Sequence, residues 1–514
     1  MQSFEVKSSY DQMPYFSAAF HDSSVLRLHA IGKFLRLEPT PVHKARVLEL
    51  GGAFGGNIMP LAVAYPDAEV VGIDISSIQV NTGNAIANQM GIENFHLIEA
   101  DIMALSPEQI KELGKFDYII AHGFYSWVRK NVRDAFLALT KTLLKQNGIS
   151  FISYNVYPGW KSFDTLRDYM MFCAKDESGI KRLDIAKREL NFMGEFLRMN
   201  FHAKSSQALK QTQELLLTQL NFVRSILKDS KNDYYILHEF FETTNEAQLF
   251  YKFANRLSDF GLGYLVESTL DDVFAPGIGV ARFDRHINKT YKSRIDREQM
   301  RDFFLNRSFR KSLVMHKDEI NEESETNISL DEISLIHIIA KLEKTKDGYS
   351  INDEPLNPQF NEIFAKIYDA YPASISINEL GISDDSVNAF LALMANPATL
   401  LSTQKFSHIK YEKGKTRLKP RVAGYLRYFA STHKPVMLLA TQLNSKTYMD
   451  TLDARTALLF DGQNSLDDIV KELEKIYEIY KNEPDAKHLD DFNPEIHASQ
   501  VAKKLENSYF LENF

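Results

Sequence analysis

The stretch that most constrains this chain is Val47-Leu48-Glu49-Leu50-Gly51-Gly52-Ala53-Phe54-Gly55-Gly56-Asn57. Val47 to Leu50 is a short apolar run holding one acid, the pattern of a strand buried on both faces of a parallel sheet. The glycines that follow let the backbone turn sharply and approach a ligand without a Cβ in the way. A helix is expected from Asn57 to Ala64. Strand, glycine turn and helix together are the nucleotide-binding opening of a doubly wound sheet.

The later strands keep the same order. Glu69 to Ile75 is a second buried run ending near Asp74, about twenty residues past the turn, where an acid can hold a ribose diol. Asn94 to Asp101 is a third strand ending in an acid, Phe116 to Ala121 a fourth, and Gly148 to Asn155 a fifth. The fifth runs into Tyr157-Pro158-Gly159-Trp160, a turn. A dinucleotide dehydrogenase would carry G-x-G-x-x-G; here Ala53 takes the middle place and the acid, Glu49, precedes the glycines.

The ordered set Glu49, Gly51, Gly55, Asp74, Asp101 and Phe116-Asp117-Tyr118 resembles the class I S-adenosylmethionine-dependent methyltransferases. The resemblance implies S-adenosyl-L-methionine as cofactor. It places Glu49 near the methionine amino group and Gly51, Gly52, Ala53, Gly55 and Asn57 under the methionine and ribose. Asp74 is then expected on the ribose hydroxyls, Ile75 on the adenine face, Asp101 on the adenine amino group, and the Ile102 backbone N–H on the ring. Ala53 departs from the usual glycine of this pattern.

After the fourth strand comes Ala121-His122-Gly123-Phe124-Tyr125-Ser126-Trp127. The Asx-Pro-Pro-aromatic motif of enzymes that methylate bases or glutamine is missing, which argues against those acceptors. His122, Tyr125, Trp127 and Tyr154 fall near the ends of strands four and five, with Asn155 and Trp160, and are the candidate acceptor-side residues. A dry aromatic slot lowers an ammonium pKa by desolvation and holds the cation on ring faces beforehand.

At finer grain, ELGGAFGGN, AHGFYSWV, SYNVYPGW, LHEFFETTN, GLGYLVES and NRSFRKSL look like the bacterial methyltransferases with a regulatory domain, a family that includes rickettsial protein lysine methyltransferases. The resemblance implies a dimer, auxiliary helical domains and lysine acceptors. It also matches His238, Glu239 and Glu242 to that family's His-Glu segment, where an acid can guide an incoming lysine.

The 514 residues divide as a cofactor-binding core over 1–160, a helical insertion over 161–230 suited to dimerisation, a region over 231–315 that partly completes the core sheet, and a winged-helix-like α+β unit over 330–514. Leader aromatics Tyr10, Tyr15, Phe16 and Phe20 precede an amphipathic helix over Ser23 to Leu37. Tyr234 to Phe241 reads as a strand or its approach, 278–315 as basic and partly helical, and His316 to Ser329 as a polar, acidic linker or edge loop. A hairpin is expected at Lys413-Gly414-Lys415 and a capped helix from Ser465.

The bulk properties set outer bounds. A net charge of -8 disfavours nucleic acid as a partner. The single Cys173 excludes internal disulfides and a cysteine-built metal site, and no metal is expected. Met1 to Tyr15 shows no signal peptide and no run is long enough to span a bilayer, so a cytoplasmic protein is expected. The leading reading is an enzyme that N-methylates lysine on a protein substrate. A small-molecule methyltransferase and a cofactor-binding regulator stay open.

Overall fold

The computed structural model describes residues 17–200, 207–227, 233–242, 244–269, 280–320, 336–382, 396–432, 437–483 and 492–514, with isolated positions between. Its centre is one eight-stranded sheet: β1 (Arg46–Leu50), β2 (Glu69–Asp74), β3 (Phe95–Glu99), β4 (Phe116–Ala121), β5 (Leu144–Tyr157), β6 (Gln248–Leu249), β7 (Leu262–Glu267) and β8 (Phe309–His316). The order is β3-β2-β1-β4-β5-β8-β7, with β6 beside the end of β5. β1 to β5 are parallel and β8 runs antiparallel between β5 and β7. Strand order reverses between β1 and β4, so the ligand crevice is expected at their carboxyl ends.

Period-two alternation sorts the strand residues into two cores. Val47, Val70, Tyr118, Ile149 and Phe151 face one side. Leu48, Val71, Ile119, Ile152 and Tyr154 face the other. The leader helix is shorter than the amphipathic pattern suggests, Val25–Phe34, and nearly every residue in it is buried. It is covered on its outer side by the C-terminal region, whose Ile338, Leu401 and Leu443 share its core.

Four helices, Lys161–Cys173, Ile180–Asn200, Gln207–Leu227 and Asp233–Phe241, form a bundle with its own core. The last corrects the expected strand over Tyr234 to Phe241. Its aromatic and branched residues favour a strand locally, yet Ile236, Leu237, Phe240 and Phe241 bury at helical spacing against the bundle. Tyr10, Tyr15 and Phe16 and the side chain of His238 lie outside the described residues.

The basic stretch after residue 280 folds as helices Ala281–Thr290 and Arg294–Leu305 and then β8. Arg310 of β8 is fully buried, donating to Asp302 at 2.7 and 2.9 Å and to Glu267 at 2.7 Å, with Phe250 on its face. This cluster ties β7, β8 and the second of those helices together.

In the C-terminal region Ser465 caps its helix with a reciprocal bond to Asp468, as expected. The hairpin at Lys413-Gly414-Lys415 is a correction. The turn exists, closed by Thr416 N–H donating to the Glu412 carbonyl, but the strand after it (Thr416–Leu418) pairs with Leu511–Asn513. Helix Pro420–Thr432 lies on helix Ser77–Met90 where Gly424 meets the Met90 backbone. A Cβ on Gly424 would stand 2.5 Å from the Met90 Cα, so this close approach requires glycine.

Candidate active site

The glycine turn leaves β1 with Gly51 at φ +76° and Gly55 at φ +82°. Gly51 N–H donates to the Ile73 carbonyl at 2.9 Å, stitching the turn to β2. A Cβ on Gly55 would stand 2.4 Å from the Phe95 ring. Ala53 also takes a left-handed backbone, φ +49°, which strains an L side chain by roughly 1–2 kcal/mol. Its N–H donates to the Asp74 carboxylate at 2.8 Å, a charge-assisted bond that offsets the strain.

Glu49 is buried at the end of β1. Its Oε1 accepts from Asn57 Nδ2 at 2.7 Å, while its Oε2 has no partner. Burial, with a smaller push from Asp74, raises its pKa to about 8. Asn57 is buried too, and its Oδ1 accepts from Phe20 N–H at 2.9 Å and Ser23 Oγ at 3.1 Å. Asp74 ends β2, with a second bond from Ser76 N–H at 2.9 Å, and Ile75 follows it half-buried. Asp101 lies just past β3, accepting from Met103 N–H at 2.9 Å, and Ile102 packs partly on the second core. Parallel register aligns these strand ends: Leu50 pairs with Ile73 and Asp74 with Glu99. The acids Glu49, Asp74 and Asp101 therefore end neighbouring strands on one edge of the crevice.

His122 directly follows β4. Its Nδ1 meets Ser153 Oγ at 3.0 Å and its ring lies 3.8 Å from the Phe20 ring. Ser153 Oγ accepts from Gly123 N–H at 2.9 Å, which leaves the hydroxyl proton for His122 Nδ1 and the ring proton on Nε2. Burial first, then Lys311, holds the His122 pKa down at about 4, so the ring is neutral near pH 7. Gly123 has φ +63° and open space where a Cβ would be.

Tyr125 and Tyr154, expected at the acceptor slot, are core residues instead. They stand 5.9 Å apart edge to face, and Phe253 packs 4.0 Å from the Tyr154 ring. Alternation along β5 explains the outcome: Ser153 turns to the His122 side and Tyr154 to the second core. Trp127 closes the short turn after Tyr125 and stays half-exposed, its N–H donating to the Phe124 carbonyl.

Beyond the carboxyl ends of β4 and β5 opens a groove of about 610 Å³ lined by Arg129, Asp134, Arg167, Thr244, Asn245 and Glu246 among others. Asn155, at the end of β5, donates to Asn245 Oδ1 at 3.0 Å, and Asn245 in turn donates to the Glu239 carbonyl at 3.3 Å. Burial raises the Glu239 pKa to about 7. Glu242 follows the same helix half-buried, its carbonyl accepting from Arg167.

Residues the sequence did not offer stand around the glycine turn. Ser17 Oγ accepts from Gly56 N–H at 2.8 Å. Asn444 donates to the Asn57 carbonyl at 2.9 Å and to its Oδ1 at 3.0 Å. Lys446 stands over the Phe20 ring at 5.2 Å. Nothing in a single sequence marks an asparagine 387 residues from its partner; the Asn-Ser dipeptide there signals a turn and no more.

Two family models match the chain: a methyltransferase domain over residues 42–240 and a predicted methyltransferase regulatory domain over 232–316. The uncharacterized protein RP028 of Rickettsia prowazekii is 33% identical over 251 residues, 49% of this chain and 94% of that protein. The uncharacterized protein RP789 of the same organism is 29% identical over 442 residues, 83% of this chain and 75% of that protein. PKMT2 from Rickettsia typhi superposes with a TM-score of 0.77 at 22% identity, over 97% of this chain and 99% of that one. The same protein in complex with AdoHcy gives 0.76 at 22% identity, over 97% of this chain and 100% of that one.

With a doubly wound sheet, a glycine turn at its switch point and both family models in register, the chain belongs to the class I S-adenosylmethionine-dependent methyltransferases that carry a methyltransferase regulatory domain. It is an enzyme and its cofactor is S-adenosyl-L-methionine. Among the described residues no helix is long and apolar enough to cross a membrane.

Proposed function

We propose that this enzyme N-methylates lysine side chains of a protein substrate in the cytoplasm, working as a homodimer. The observation that carries the reading is the polar, mixed-charge groove, open to solvent, whose Asn245 accepts from Asn155 near the end of β5. A groove lined by Arg129, Arg167, Asp134 and Glu246 suits an extended peptide with polar flanks better than a small apolar molecule. The name of the structural neighbour PKMT2 agrees with it.

The residues at the strand ends fit the cofactor. Glu49 Oε2 is a buried carboxylate oxygen without a partner, next to a glycine turn whose Gly51 is exposed. A cationic amino group there satisfies it. Asp74 would hold the ribose hydroxyls, Asp101 and Ile102 the adenine edge, and Ile75 the adenine face. The cofactor supplies an electrophilic methyl group on a sulfonium. The protein's part is to hold the acceptor amine in line, keep water out and let the amine lose its proton.

His122 is a weak base at a pKa of about 4, so it does not take that proton. It lines the slot with Phe20 and fixes the turn after β4 through Ser153. Desolvation favours the neutral amine. Glu239, titrating near 7 beside the groove, is the group suited to receive the proton, by way of water. The dimer reading rests on the helical bundle, which exposes Phe172, Phe192, Phe196, Met199, Leu215 and Phe222.

The test is transfer of labelled methyl from S-adenosylmethionine to proteins of a cell extract, followed by hydrolysis. Methyl-lysine from protein bands supports the proposal. Label found only in small molecules transfers the reading to a small-molecule acceptor and sinks this one.

A further inference from the structure

The segment 437–446 belongs to the C-terminal region, nearly four hundred residues from the glycine turn, yet it lies on it. Met437 bridges to Ser17, Leu438 N–H donates to the Ser17 carbonyl, and His21 Nδ1 meets the Leu443 carbonyl at 2.8 Å. The segment then turns: Thr441 N–H donates to the Ser445 carbonyl, Ala440 bridges to Lys446, and Asn444 takes a left-handed backbone at φ +56°. Asparagine tolerates that conformation better than most residues. Its buried amide donates to Asn57, and the Asn57 amide donates to Glu49. A relay of three polar side chains thus runs from the C-terminal region to the carboxylate at the end of β1.

Two residues on, Lys446 is exposed and stands over the ring of Phe20, which packs in turn on His122. Among the described residues its ammonium meets the Phe20 ring and no carboxylate. A buried carboxyl with a free oxygen, Glu49, which a cation would ionise, and a cation without an anion among the described residues, Lys446, are thus joined by the Asn57–Asn444 pair. An α-amino acid zwitterion asks for that combination, an anion for its ammonium and a cation for its carboxylate.

We propose that the C-terminal region completes the cofactor site: Lys446 binds the α-carboxylate of the methionine portion of S-adenosylmethionine, and Asn444 is a positioning residue that holds Asn57 and Glu49 for its α-amino group. The inference rests on the cofactor placement given above. It assigns the C-terminal region a part in binding the cofactor, and it couples that region's docking to cofactor occupancy.

Calorimetric titration of the full chain with S-adenosylmethionine and with 5′-methylthioadenosine, which lacks the amino acid, separates the outcomes. For Lys446→Met the affinity for S-adenosylmethionine should fall roughly 10- to 100-fold, the loss of one charge-assisted bond, with methylthioadenosine affinity unchanged. Lys446→Arg should recover most of the loss. Asn444→Ala should lower the ratio of the two affinities in the same direction. Unchanged affinity for S-adenosylmethionine in Lys446→Met, or an equal loss for both ligands, overturns the proposal. If the wild-type chain binds neither ligand, the cofactor placement itself fails and the proposal falls with it.

Discussion

Replacing Glu49 by Gln tests the electrostatics of the site from two sides. In the folded protein burial raises this carboxyl from 4.5 to about 8, so at pH 7 it keeps a proton that the unfolded chain releases. A carboxyl raised in this way contributes stability that is full below 4.5 and is lost as pH rises toward 8, at about 1.4 kcal/mol per pH unit. By pH 7 the loss is about 3 kcal/mol. Gln keeps the bond to Asn57 and removes the titration. The variant should therefore unfold at a higher temperature than wild type at pH 8, by roughly 1 °C for each kcal/mol recovered in a chain of 514 residues, and match it near pH 4.5.

Cofactor binding should move the other way. Wild-type Glu49 has to ionise to meet a cation, so affinity for S-adenosylmethionine should rise by up to about tenfold per pH unit from pH 6 toward 8. Glu49→Gln should bind weakly with no such slope. Scanning calorimetry and titration calorimetry at pH 5, 6.5 and 8 read both. Persistence of either slope in the variant would falsify the assignment of the titrating group to Glu49.

Other consequences follow from neighbouring parts of the fold. Arg310→Met leaves Asp302 and Glu267 buried without their cation, and should destabilise by about 3–5 kcal/mol, measured as a drop in the thermal transition of the core. The double substitution Phe192→Asp with Phe196→Asp adds charge to the exposed apolar face of the bundle; light scattering should then report a monomer where wild type is a dimer, and a wild-type monomer refutes the dimer. Glu239→Gln should remove the limb near pH 7 from the pH profile of kcat/KM, and an unchanged profile would exclude it as proton acceptor.

What could be read from the sequence was what is local. β1, β2 and β4 follow from continuous apolar runs bounded by glycine or acid, and their ends lie within a residue of expectation. The spacing from Gly51 to Asp74 placed the acids at neighbouring strand ends, since parallel strands of similar length end together. Tyr234 to Phe241 misled because aromatic and branched residues favour strands unless a helical neighbour buries them at period 3.6. Tyr125 and Tyr154 misled differently: nearness to strand ends in sequence does not say which face a side chain takes. Asn444, Lys446 and Ser17 could not be read at all. Ser17 reaches the glycine turn from the leader; Asn444 and Lys446 come to it through the docking of the C-terminal region, which depends on shape, as at Gly424 against Met90.

The measurement that goes most directly to the site is titration of S-adenosylmethionine into wild type and Asp74→Ala, with circular dichroism and melting as checks on folding. In the proposed placement of the cofactor, two ribose hydroxyls would each donate to the Asp74 carboxylate. Removing it should cost at least about 100-fold in affinity while the fold persists. Wild-type affinity in a folded Asp74→Ala would contradict the placement of the cofactor at the ends of β1, β2 and β3.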